Sequence, residues 1–214
     1  LPTFLSVFRA RLLRIICRVS GYKFDLFISY ARRGSVQKWL LNHFHQKLLE
    51  CLADQLAPTP TVYVDRAMSR AVHWPSSLQH ALRHSKIMIQ LLTPHYFQSR
   101  WCRAEWYSMR EREKVLGIAN PGQPMGLIYP ILYSDSDNFP PEGKERSWQN
   151  FKEFANPDPP YQETREFIHF HREVNRVAAD LVELLHQVPP WRDDWPDVDP
   201  PDPVLPPPVP LPRF

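Results

Sequence analysis

Glycine is scarce. Only six of the 214 residues are glycine, and none stands in a G-x-G-x-x-G or Walker arrangement, which excludes a phosphate cradle of glycine backbone. Cysteine is scarcer still: Cys17, Cys51 and Cys102 are odd in number, widely separated and without a C-x-x-C pair. That pattern builds neither a disulfide framework nor a thiolate metal site, and it points to a reducing, cytoplasmic compartment. No uninterrupted apolar run approaches the ~20 residues of a membrane-spanning helix. Charge of one sign is missing too. Lys and Arg number 26 against 23 Asp and Glu, and the formal net charge of +3 is too small for a nucleic-acid-binding surface. Two catalytic signatures are absent. No G-x-S-x-G presents a serine nucleophile, and none of the nine histidines completes H-E-x-x-H, although His80 and His84 have helical spacing and His43/His45 and His169/His171 are H-x-H pairs. A metal site is not expected.

Proline, by contrast, is abundant. Of 24 prolines, 11 lie in residues 189–214, a Trp/Asp/Pro stretch that reads as extended, polyproline-like and unable to build a core. Docking on the domain through Trp191 and Trp195, or serving as a spacer to a neighbouring sensor or effector domain, are both open for it. At the other end, Arg9, Arg11, Arg14 and Arg18 accompany Leu5, Phe8, Leu12, Ile16 and Val19 at spacings of three and four. A basic amphipathic helix over 1–20 is expected, packed on the protein with its arginines in water; peripheral contact with an anionic membrane is the alternative. The chain opens on Leu1 and not Met, so it is expected to be a processed or excised piece of a longer protein. The resulting division is 1–20, 21–188 and 189–214.

Between these ends, short apolar strands alternate with helical patterns. Residues 23–30 (KFDLFISY), 61–64 (TVYV), 86–92 (KIMIQLL) and 126–133 (GLIYPILY) read as strands, with a weaker fifth near 149–155. Pro130 inside the fourth implies a bend or a place near the sheet edge. Helices are expected after Ser35 to about 56, over 76–84, from Thr93–Pro94 to about 116, and over 163–188. This alternation predicts an α/β fold with a doubly wound parallel sheet. Ligands of such sheets bind outside the carboxyl ends of the strands, where residues 30–34, 65–74 and 93–105 would converge.

One of those segments carries unusual chemistry. Residues 99–106 read S-R-W-C-R-A-E-W, so Trp101 and Glu105 share a helix face one turn apart. An indole can stack on a flat ring while a carboxylate bonds a sugar. A lone glutamate is more often a solvated helix residue, and a lone tryptophan more often core; position within a motif changes that weighting.

The motif is supplied by a resemblance. FISYARR at 27–33, VYVD at 62–65, the S-K-I-M-I strand from Ser85 and above all S-R-W-C-R-A-E at 99–105 resemble the Toll/interleukin-1 receptor (TIR) domain, of the bacterial kind. The likeness runs from about residue 22 to 188. It implies a flavodoxin-like sheet of five strands and, as in many members, cleavage of NAD⁺ to nicotinamide and an ADP-ribose product. NAD⁺ would be the substrate, with no cofactor. It also implies activation by self-association in a defence or cell-death response; the alternative is a non-catalytic scaffold for contacts between TIR domains. By position, Glu105 would be the catalytic glutamate and Trp101 the stacking aromatic. Tyr30, Arg32, Arg33, Asp65 and Trp74, from the loops after the first two strands, would contact substrate. Asp65 begins what the family calls the BB loop, where residues 67–74 lack the glycine of many relatives. A phosphoacceptor receiver shares the fold but needs an acidic cluster at the strand ends, which is missing.

Overall fold

The computed structural model describes residues 21–66, 75–119, 126–137, 139–144 and 147–200. The helix expected over 1–20, the loop residue Trp74 and residues 201–214 lie outside them.

Five strands form one parallel sheet: β1 Phe24–Tyr30, β2 Val62–Val64, β3 Ser85–Leu92, β4 Ile128–Leu132 and β5 Gln149–Asn150, in the order β2-β1-β3-β4-β5. This is the doubly wound, flavodoxin-like order. α1 runs through Val36–Trp39, a π-helical turn Leu40–Phe44 and His45–Gln55; α2 is Ser76–Arg83, α3 Arg100–Leu116, α4 Pro141–Lys144 and α5 Glu166–Gln187.

Alternation along the strands assigns each residue to a face. Leu26, Ile28 and Tyr30 of β1, with Ile87, Ile89 and Leu91 of β3, pack under α1 and α5. Phe27 and Ala31, with Met88 and Leu92, pack under α2 and α3. Burial on both faces is why the strands read as continuous apolar runs. Trp39 anchors the α1 side: it is 0% exposed, stacks on Phe44 and donates its indole N–H to the Phe154 carbonyl at 2.8 Å. α5 is held by the buried stripe Phe170, Val174, Val177, Leu181 and Leu184, and by Tyr129 of β4, whose hydroxyl donates to Asp180 at 2.6 Å.

Three expectations shift. The third helix starts at Arg100 instead of Thr93, because Ser99 is extended and its side chain accepts the Cys102 N–H as N-cap. Residues 93–98 make hydrogen-bonded turns before it, with the Tyr96 N–H on the Thr93 carbonyl at 3.0 Å. Gly117, at φ 67°, ends that helix as foreseen, and the Ile118 N–H reaches back to the Glu113 carbonyl. The fifth strand shrinks to Gln149–Asn150, both exposed. The final helix begins at Glu166, after a 3₁₀ turn at Pro159–Glu163.

Pro130 is accommodated at the margin. Tyr133 donates to Leu92 on β3, whereas Leu132 accepts from Phe151 on the other side. Even-numbered residues of β4 thus turn away from β3, toward β5. The β5 pairing starts only at Ile131, one residue past the proline, so the missing N–H faces no ladder partner. Among the described residues no helix is long and apolar enough to cross a membrane.

Candidate active site

The carboxyl ends of β1, β2 and β3 and the first turns of α3 enclose a pocket of about 810 Å³. That volume falls within the range of roughly 300–1,000 Å³ usual for small-molecule sites. Six of the seven residues expected there line it: Tyr30, Arg32, Arg33, Asp65, Trp101 and Glu105. The seventh, Trp74, lies outside the described residues.

Glu105 sits at the buried end, 5% exposed. Its helix lies on the sheet face that carries Phe27, Ser29 and Ala31, so the side chain points at Ser29. The Ser29 hydroxyl donates to Glu105 Oε2 at 2.5 Å and also lies 2.6 Å from the Tyr96 hydroxyl. Serine has a single proton. With that proton on Glu105, Tyr96 is the donor to Ser29, and the three groups form a chain Tyr96→Ser29→Glu105. Burial pushes the Glu105 carboxyl up to about 8, and Asp65 adds to the rise, while the Ser29 hydrogen bond and Arg32 oppose it. The carboxyl therefore titrates close to neutrality, as general acids and bases do.

The outer wall is built by loop pairing. Arg32, after β1, forms an ion pair with Asp65, after β2. Its guanidinium carbon also lies 5.9 Å from the centre of the Trp101 ring. The Tyr30 hydroxyl donates to the Asp65 carbonyl at 2.7 Å, tying the start of the second loop to the first strand. Arg33 is exposed at the rim and Trp101 is half-buried, leaving an indole surface open to the pocket. Cys102, beside Glu105, is an unreactive wall residue: burial, with a contribution from Glu105, raises its thiol far above the free range.

Ser29 and the lining residue Leu78 were missed from sequence, whereas Tyr96, His95, Gln98 and Ser99 fall in the segment 93–105 expected at the crevice without having been singled out as site residues. A signal for Ser29 existed. It interrupts β1 on the α3 side, and its register partner on β3 is Gln90, the one polar residue in the apolar run 87–92. Two polar residues side by side at core positions mark a polar patch that something buried must use. Among the described residues, no three His, Cys, Asp or Glu side chains gather as a metal site would require.

The pocket thus joins a buried, near-neutral carboxyl, an open indole and a guanidinium at the strand ends of a 2-1-3-4-5 sheet. No curated protein matches the chain. Among solved structures it resembles the TIR domain of the Toll-related receptor TRR-2 from Hydra magnipapillata, with 17% identity, 70% of this chain and 99% of that one covered, and a TM-score of 0.43. The TIR domains of the activated Roq1 resistosome, which directly recognizes the pathogen effector XopQ, are also similar: 16% identity, 77% and 84% coverage, and a TM-score of 0.39. A family model of the TIR domain matches residues 26–168, a stretch that holds β2 to β5, β1 from Leu26 onward and every residue lining the pocket, and the chain belongs to that family.

Proposed function

We propose that this TIR domain is an NAD⁺ glycohydrolase, releasing nicotinamide and an ADP-ribose product, with self-association as its means of activation in a defence or cell-death response. The observation that supports this most is the placement of Glu105, buried at the end of the pocket, hydrogen-bonded by Ser29 and one helical turn from the open face of Trp101.

The reaction asks little of the protein beyond charge and position. Breaking the bond between ribose C1′ and the pyridinium nitrogen sends the electron pair to nitrogen, so nicotinamide leaves as a neutral ring and needs no protonation. The sugar left behind is oxocarbenium-like, and a nearby carboxylate stabilises it, as in glycoside hydrolysis. Water then adds to C1′ and gives up one proton, which completes the balance of ADP-ribose, nicotinamide and H⁺. In this reading Glu105 faces the ribose, Trp101 stacks on a flat ring of the substrate, and Arg32 and Arg33 pair with the pyrophosphate. The pyridinium cation, on entering, favours the ionised form of a carboxyl that titrates near 8 in the empty pocket.

The second reading is a non-catalytic scaffold that binds other TIR domains. One observation favours it: Arg32 is already engaged by Asp65, so binding a pyrophosphate requires that ion pair to exchange. Incubating concentrated protein with NAD⁺ and following nicotinamide separates the two readings. Release that disappears in Glu105→Gln supports the enzyme. Equal release from that variant removes Glu105 from the chemistry, and none from protein shown to be assembled supports the scaffold.

A further inference from the structure

The prolines at 189 and 190 do not lead away from the domain. Residues 189–200 lie on it, along the crevice between α2 and α3. The Tyr22 hydroxyl donates to the Pro189 carbonyl at 3.2 Å. Trp191 stacks on the His84 ring, with centroids 5.1 Å apart and planes 11° apart, and donates its indole N–H to the Arg83 carbonyl. Trp195 is 2% exposed, with the Arg112 guanidinium 5.5 Å from its ring centre. The Val198 N–H donates to the Ser108 hydroxyl at 2.8 Å, and Asp199 pairs with Arg100 at 2.9 Å. Contacts to Arg112, then Ser108, then Arg100 show that the segment runs antiparallel to α3.

Trp101, Glu105, Ser108 and Arg112 stand at helical spacings of four, three and four, so they share one face of α3. The upper two look into the pocket, which Leu78 of α2 also lines. The lower two lie beneath residues 189–200. Pocket and segment thus divide a single crevice. Its lower half is unlike a core: it holds a serine hydroxyl and an arginine, flanked by Arg83 and Arg100, whose guanidinium groups meet the carboxylates of Asp197 and Asp199 and, from Arg83, the Asp193 carbonyl, while Asp194 pairs with Arg192 inside the segment. Groups of this kind line a surface that binds a charged, aromatic peptide.

The attachment is also built to come off. The Arg83–Asp197 pair has both side chains about one-third exposed, and Asp199 is 57% exposed, so these pairs add little and are screened by salt. The one deep anchor, Trp195, buries its indole N–H without a hydrogen-bond partner among the described residues, which costs the docked state stability.

We propose that residues 189–200 are a releasable latch, and that the α2–α3 crevice beneath them is a docking surface for acidic, tryptophan-anchored segments, occupied in the resting chain by this one. The short connection from the end of α5 gives the latch a high effective concentration, so a competing peptide enters only when the anchor is lost. The test uses the full chain and a fluorescent peptide with the sequence of residues 189–200, and does not depend on catalysis. Wild type is expected to capture little peptide. Trp195→Ala is expected to capture it at least about tenfold more tightly, with capture weakening at high salt. Hydrogen exchange through residues 100–112 is expected to rise in the variant and fall again when peptide is bound. A folded Trp195→Ala that binds no better than wild type, or whose α3 exchange is unchanged, overturns the proposal. Should Trp195→Ala fail to fold, Asp197→Lys with Asp199→Lys keeps the indole, and the same two measurements decide on it.

Discussion

Replacing Glu105 by glutamine tests the site through stability, without any assumption about substrate. A glutamate in the unfolded chain titrates near 4.5, whereas Glu105 in its pocket titrates near 8. Over that interval the native state holds a proton that the unfolded state has lost, so stability falls as pH rises through it. At ~1.4 kcal/mol per unit of displacement, ionising the buried carboxyl costs the fold about 5 kcal/mol once the pH exceeds 8. Glutamine is nearly the same size, stays neutral and can still accept the Ser29 hydrogen bond through its carbonyl, at the expense of burying an amide NH₂ worth about 1 kcal/mol. The expected outcome is a crossing. Near pH 5 Glu105→Gln is about equal to wild type; near pH 9 it is more stable by about 4 kcal/mol. Urea unfolding at the two pH values reads the difference directly. An unchanged difference across that range would refute the buried, near-neutral carboxyl and with it the electrostatic case for the site. For catalysis, the same titration predicts that kcat/KM for nicotinamide release climbs with pH toward a midpoint near 8.

Ser29→Ala removes the donor that holds the Glu105 carboxyl down, so its midpoint should move further up and nicotinamide release should fall more at pH 7 than at pH 9; unfolding should show a loss of about 1–2 kcal/mol from the stranded Tyr96 hydroxyl. Arg32→Ala should raise KM for NAD⁺ roughly ten- to hundredfold with a smaller change in kcat, as expected for loss of a charge-assisted pyrophosphate contact; an unchanged KM would remove Arg32 from the site. Trp39→Ala, which empties the centre of the α1 side and strands the Phe154 carbonyl, should cost about 3–5 kcal/mol in denaturant unfolding while leaving pocket geometry intact in whatever protein remains folded.

What could be read from the chain, and what could not, follows the sequence distance over which each interaction acts. Trp101 and Glu105 are one turn apart, and helical spacing alone makes them neighbours. Strand identities and parallel order were legible because burial on both faces produces the apolar runs at 86–92 and 126–133. The Ser29–Glu105 bond joins residues 76 positions apart, and the Ser29–Tyr96 contact 67; only the assembled sheet brings them together. The start of α3 was misplaced because Thr93–Pro94 looks like a helix opening, whereas Ser99 is the residue whose side chain caps a backbone N–H. For residues 189–200 the sequence left docking through Trp191 and Trp195 and a spacer role both open, and the structure shows the docking. Proline content describes a backbone that cannot form a core of its own, and it does not decide whether Trp195 finds a place against the domain.

Cys102 gives the molecule an internal clock. It lies on α3 between the residues that face the pocket, it is buried and unpaired, and burial holds its thiol protonated. An alkylating reagent cannot touch it in the closed state, so the rate at which Cys102 is modified counts the moments when α3 lifts from the sheet. Cys51, on the buried side of α1 on the opposite face, times the other layer in the same tube. With Cys17 replaced by serine, the two rates should diverge: loosening confined to the pocket layer speeds Cys102 alone, whereas global unfolding speeds both together. The conspicuous thiol of the W-C-x-x-E motif is thereby a reporter of motion, and covalent inhibitors aimed at it would find it only on molecules already coming apart.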